Sequence, residues 1–166
     1  MSISMSRAFA AAAALALCAA PAGAQTKRVQ SVASFHLGEE HLDLDVVRAR
    51  DGSKLALVSI ENPLRMRGLP TGSVVIWPEQ WPAVIDLWTK ARAGITGAEP
   101  WTTVGDVQEP YSPSGTRLSL SSGPTVRFSI QAQSAVGGIS FELAPADLDA
   151  MGAALAREQK MLDSKK

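Results

Sequence analysis

The chain has 166 residues, 16 basic and 16 acidic side chains, 46% apolar residues and a single cysteine. This length suits one domain or two very small ones, and the even charge balance removes the strongly basic nucleic-acid binder and the acidic disordered tail as default classes. Sparse aromatic residues among many aliphatic ones are typical of an ordinary globular domain.

The first 24 residues have the order of parts of a secretory signal peptide. Arg7 is the cation of a polar start, an apolar run covers residues 8–20, and small residues precede a cleavage point after Ala24. The run is shorter than the roughly 20 residues of a membrane span, although an uncleaved anchor is the alternative interpretation. We therefore predict that residues 25–166 are released into the periplasm as a single domain.

The only cysteine, Cys18, lies inside this leader. A lipoprotein signal requires a small residue before its cysteine, and Leu17 is bulky, so Cys18 is expected to leave with the leader. The mature chain then carries no disulfide, cysteine nucleophile or thiolate metal site. Removal of Arg7 leaves 15 basic and 16 acidic residues, a net charge of −1, and no later apolar run is long enough for a transmembrane segment.

Four strands are predicted in the first half. Leu42, Leu44 and Val46 alternate with Asp43 and Asp45, which indicates a half-buried strand with both carboxylates on its outward face. A glycine in the following turn supplies the positive φ that hairpin turns need. The predicted strands cover residues 29–37, 42–46, 54–60 and 73–77, the hairpin turn is Asp51-Gly52-Ser53, and a long loop covers residues 61–72.

A helix is predicted to follow this fourth strand. Trp81, Val84, Ile85 and Trp88 form a stripe at helical spacing, and the helix starts near Trp81 or Pro82, where a proline in the first turn is tolerated. Gly94 ends the helix, since glycine favours the cap position.

The second half repeats the order of elements. Strands are predicted at residues 101–107, 116–121, 125–132 and 138–143, and a second helix at 145–162. At an offset of 67 residues Pro78 aligns with Pro145, Trp81 with Leu148 and Trp88 with Leu155.

The predicted fold is therefore α+β, with antiparallel strands and a helix closing each of two similar halves, at about residues 28–94 and 100–162. Each helix is expected to cover the sheet of its own half, with Trp81, Trp88, Leu148 and Leu155 in the core. A ββββα duplication explains the offset, and strand-to-helix junctions that merely look alike are the alternative. Tandem units of this order occur in single-stranded nucleic-acid binders of the Whirly and PUR-alpha kinds, but the net charge of −1 argues against a nucleic-acid partner.

His36 and His41 are the only histidines, and they offer the one candidate metal site. Their segment departs by one residue from the H-x-x-E-H zinc signature and reads as a turn rather than a helix. A hairpin could place the two imidazoles opposite each other with Glu39 or Glu40 nearby, and a solvated polar turn is the alternative. No serine-hydrolase elbow, phosphate-binding glycine loop or other cofactor motif is present in the sequence, so no cofactor and no catalytic residue is predicted.

The remaining candidate function is the binding of a ligand or partner through the protein surface. Arg48 and Arg50 alternate on a strand, Arg65 and Arg67 lie in the long loop, and together they could bind an anionic partner such as a lipid headgroup or polysaccharide. Trp101 and Tyr111 lie in a stretch rich in proline and glycine, where an exposed ring can stack on a sugar or anchor a protein contact. Trp77 is expected to close the core where strand meets helix.

Three hypotheses follow for the function. The first is a non-enzymatic periplasmic protein that binds an envelope protein or a small ligand through loops and an exposed sheet face. The second is a metal-assisted hydrolase that uses His36 or His41, and the third is an accessory subunit of an envelope or secretion assembly. A homo-oligomer is compatible with all three.

Overall fold

The computed structural model describes residues 27–63, 71–113, 115–132 and 138–164, and it confirms an α+β fold of two similar ββββα halves. The first half contains β1 (Lys27–Leu37), β2 (Glu40–Arg48), β3 (Lys54–Glu61), β4 (Thr71–Ile76) and α1 (Trp81–Ala93). The second contains β5 (Thr102–Gln108), β6 (Arg117–Ser122), β7 (Val126–Gln131), β8 (Gly138–Glu142) and α2 (Leu148–Asp163).

Each set of four strands forms an antiparallel sheet in chain order, β1-β2-β3-β4 and β5-β6-β7-β8. The period-two pattern is preserved across strands, because Leu44 pairs with Val58 and Leu118 with Ile130, and all four side chains are buried. Gly52 has a φ of +87° in the turn between β2 and β3, which confirms the reason for a glycine at that position.

The offset of 67 residues holds in the structure. A 3-10 turn precedes each helix, at Pro78–Gln80 and Pro145–Asp147, so α2 begins at Leu148 rather than at Pro145. Equivalent helix positions are buried in both halves, and the pairs are Val84 with Met151, Trp88 with Leu155, and Ala91 with Glu158. Leu148, unlike Trp81, is only half-buried.

The two halves exchange their helices, so the expectation that each helix covers its own sheet is wrong. α1 packs against β5 and β6, whereas α2 packs against β1, β2 and β3. The reason is the position of the edge strands: β4 contacts β7 and β8, so a helix that leaves β4 directly has the other sheet beside it. The helices therefore interlock the halves around a single hydrophobic core.

Aromatic side chains of α1 connect the two halves inside this core. The fully buried Trp81 donates from Nε1 to the backbone oxygen of Leu155 on α2, at 3.2 Å. Trp88 stacks on Phe128 of β7, with ring centroids 6.1 Å apart. A Cβ at Gly72 of β4 would lie 2.5 Å from Ile139 of β8, the equivalent residue at the 67-residue offset. The two sheets therefore contact each other closely at equivalent positions of the two halves.

Two acidic side chains are buried between α2 and the first sheet. Asp45 is only 5% exposed, so the expectation that it faces solvent is wrong, because α2 packs against this sheet near it. Glu158 is fully buried, and neither of its oxygens has a hydrogen-bond partner within the described part of the chain. Burial, and secondarily the charge of Asp45, raises the pKa of Glu158 to about 9.

Candidate functional site

Trp77 is the centre of a surface formed by three of the predicted binding residues. It lies directly after β4, and its backbone N–H is held by the side-chain oxygen of Gln80 in the following 3-10 turn, at 3.4 Å. Its half-buried ring contributes to two clefts, each of about 280 Å³. We call the surface formed by Arg48, Arg50, Trp77 and Tyr111 with these clefts the Trp77 surface.

Tyr111 is the most exposed large hydrophobic side chain described, with 92% of its surface accessible. Its ring packs edge-on against Trp77, with centroids 6.2 Å apart and an interplanar angle of 67°. Its φ of +59° lies in the left-handed region, which is costly for a residue with a Cβ and concentrates at functional positions. The fold therefore holds an aromatic ring in solvent beside a second ring.

Hydrogen bonds fix the residues on both sides of Tyr111. The backbone N–H of Glu109 donates to the oxygen of Thr116 at 2.8 Å, and that of Gly115 donates to Ser112 at 3.0 Å. The half-buried carboxylate of Glu109 accepts hydrogen bonds from the Ser112 side chain and from the backbone of Val75. Burial raises the pKa of Glu109, and these two bonds oppose the shift. Glu109 thus ties the loop to β4, two residues before Trp77.

Arginines lie beside Trp77 in both clefts. The polar cleft includes Arg48, whose guanidinium donates to the oxygen of Gly52 at 2.7 Å. The other cleft is mostly apolar and includes the exposed Arg50. Lys54 also lines the polar cleft, but its ammonium group donates to the oxygens of Met161 and Ser164, so it caps the end of α2.

The turn between β2 and β3 shapes both clefts. Asp51 accepts hydrogen bonds from the backbone and side chain of Ser53, at 2.9 and 2.6 Å, and these bonds lower the pKa of the Asp51 carboxyl. Ser53 lines both clefts. Arg48 is the last residue of β2 and Arg50 lies in the turn itself, so the expectation that both arginines alternate on a strand is wrong for Arg50.

Trp101 lies apart from the Trp77 surface. The guanidinium of Arg127 lies 3.9 Å from its ring centroid, and the backbone of Gly123 lies so close that an added Cβ would be 2.9 Å from the ring. Its Nε1 is buried without a hydrogen-bond partner in the described part of the chain. Arg127 and Gly123 thus pack against a ring that the sequence had suggested for ligand stacking.

His36 and His41 face each other across the β1–β2 hairpin, with ring centroids 5.6 Å apart. The carboxylates beside His41 are Asp43 and Glu61, at 3.6 and 3.3 Å from Nε2, rather than Glu39 or Glu40. Nε2 of His36 is 3.1 Å from the hydroxyl of Ser34. In the described ranges no group of three or more histidine, cysteine or acidic side chains is placed to hold a metal ion.

The other predicted residues are outside the described part of the chain. Arg65 and Arg67 fall in residues 64–70, and the leader with Cys18 falls in residues 1–26. Sequence reasoning placed Trp77 in the core and did not single out Glu109. The signal for Glu109 was its position two residues before Tyr111 in a loop rich in proline.

No protein-family model matches the sequence, and no curated protein matches it. Within the described ranges, neither helix is long and apolar enough to cross a membrane.

Proposed function

We propose that this chain is a non-enzymatic periplasmic binding protein that holds an anionic ligand or envelope partner at the Trp77 surface. The leader predicted at residues 1–24 supports export. Tyrosine, tryptophan and arginine are the residue types enriched at the energetic centres of protein interfaces, and this surface combines all three.

The observation that carries the proposal is the presentation of Tyr111. Folding leaves its ring almost fully in solvent, at a backbone conformation that costs free energy, on a loop that Glu109 ties to the sheet. An aromatic ring already ordered in the free protein loses little entropy on binding. The two arginines beside Trp77 favour a negatively charged ligand.

A cross-linking amino acid at position 111 tests the proposal in living cells. We expect benzoylphenylalanine at this position to give a discrete adduct on illumination, because a bound partner covers the ring. Position 37 is the matched control, since Leu37 is also exposed, at 45%, and ends β1 beside the first residue of β2, at the other end of that strand from the Arg50 turn.

Replacing Trp77 with alanine in the same chain should abolish the adduct at position 111. Equal labelling at positions 37 and 111, or no adduct at 111, would contradict the proposal. Mass spectrometry of the adduct separates an envelope-assembly partner, which would make this chain an accessory subunit, from a small ligand.

A further inference from the structure

The apolar cleft beside Trp77 has a wall made mostly of carbon. Ala49, Leu55 and Trp77 supply that wall, and Arg50, Asp51 and Ser53 supply its polar atoms. A ligand gains free energy here by removing apolar surface from water, both its own and that of the wall. A ligand covered with hydroxyl groups would lose hydrogen bonds to water without replacing them.

Of the two charged side chains at this cleft, Arg50 is the one whose hydrogen-bonding groups are left unpaired in the described part of the chain. Arg50 is exposed and makes no ion pair or hydrogen bond to any residue in the described ranges. The carboxylate of Asp51 instead accepts two hydrogen bonds from Ser53. A guanidinium beside an apolar wall suits a carboxylate attached to an apolar body. The carboxylate can pair with the guanidinium while the apolar body packs against the wall.

The size of the cleft limits the apolar body. At about 280 Å³ it lies just below the range of pockets that hold drug-sized molecules, roughly 300–1,000 Å³. The cleft therefore admits one amino-acid side chain or a short aryl or acyl group, and it is too small for a dinucleotide.

We infer that the apolar cleft binds an apolar group that carries a carboxylate, with Arg50 paired to the carboxylate. This inference rests on the proposed function, because it names the ligand class of the same surface. Two sources share this chemistry: a free aryl or acyl acid, and the C-terminal residue of a peptide.

Four probes titrated into the purified protein test the inference, with the indole N–H resonance of Trp77 as the signal. 3-Phenylpropionate represents the free acid, N-acetylphenylalanine the peptide terminus, N-acetylphenylalaninamide the same body without charge, and galacturonate a carboxylate on a polar body. We expect the first two to bind, the amide to bind about fivefold more weakly, and galacturonate to leave the resonance unshifted. Tighter binding of N-acetylphenylalanine than of 3-phenylpropionate assigns the peptide source, and the reverse order assigns the free acid.

Arg50→Gln should weaken the two acids about fivefold and leave the amide unchanged. Lys90→Gln is the control, because Lys90 is an exposed cation on α1 paired with Asp86, away from the cleft. Equal affinity of amide and acid, an unaffected Arg50→Gln variant, or preferential binding of galacturonate would overturn the inference. If position 111 still cross-links in cells while the probes fail, the ligand class is wrong and the proposed function stands.

Discussion

Replacing Glu158 with glutamine is expected to stabilise the protein at pH 7 by about 3 kcal/mol. The ordinary pKa of 4.5 lies below pH 7, so the folded protein must keep a proton on Glu158 that the unfolded chain releases, and each pH unit of this difference costs about 1.36 kcal/mol. Glutamine keeps the shape of the side chain and cannot ionise. Urea denaturation at pH 5, 7 and 9 measures the effect.

The sign follows from the proton balance of Glu158. Its folded pKa of about 9 lies above the ordinary value of 4.5, so between these values the folded state holds a proton that the unfolded state has released. The Glu158 contribution to stability therefore falls as pH rises through this window and is constant outside it. The advantage of Glu158→Gln should grow from pH 5 to pH 9.

Glu39→Gln is the control, because it makes the same substitution at an exposed position in the β1–β2 turn. Parallel curves for Glu158→Gln and the wild type would show that Glu158 is ionised in the folded protein. That result would contradict the burial of the Glu158 carboxyl without a hydrogen-bond partner in the described part of the chain.

Gly72→Ala is expected to destabilise the protein by about 1–3 kcal/mol, because overpacking a close contact forces side chains and backbone to move. The new Cβ would lie 2.5 Å from Cγ2 of Ile139 and 3.5 Å from Cγ2 of Ile130, both buried. Neither branched side chain can withdraw by rotating a flexible end. Thermal or urea unfolding measures the loss.

Gly105→Ala is a matched variant in the second sheet. Its Cβ would lie 2.6 Å from Cδ2 of Leu87, but this is the end of a half-buried flexible side chain that can turn away. Both substitutions lower the entropy of the unfolded chain to a similar extent, so their difference isolates the clash at Gly72. An equal or smaller loss at Gly72 would refute the close meeting of the two halves.

The elements themselves could be predicted because each has a local signal. The stripe from Trp81 to Trp88 and the glycine at position 94 located α1, which covers Trp81–Ala93. The alternation around Leu44 located β2. The exchange of helices could not be predicted, because periodicity reports which face of a helix is apolar and not which sheet it meets.

The burial of Glu158 has a signal in the sequence. Glu158 falls in the same helical stripe as Met151, Leu155 and Leu162, and its equivalent at the 67-residue offset is Ala91. A charged residue in an apolar stripe predicts either a partner or a raised pKa. The carboxyl of Glu158 is buried without a hydrogen-bond partner in the described part of the chain, and this burial raises its pKa.

The candidate site was predicted in part. Arg48, Arg50 and Tyr111 were identified from residue type and position, but nothing in the sequence shows that they converge. These residues converge around Trp77. The position of Trp77 at a strand-to-helix junction had predicted that it closes the core. The contacts of Glu109 with Val75 and of Tyr111 with Trp77 join residues more than 30 positions apart, so only the folded structure reveals them.

The affinity of the Tyr111→Ala variant for the partner captured at position 111 tests the central claim most directly. We expect at least a tenfold loss, as for an aromatic residue at the energetic centre of an interface, with an unchanged melting temperature because the ring is 92% exposed. Leu37→Ala should bind as the wild type does. A Tyr111→Ala variant that binds within twofold of the wild type would contradict the assignment of the Trp77 surface as the binding site.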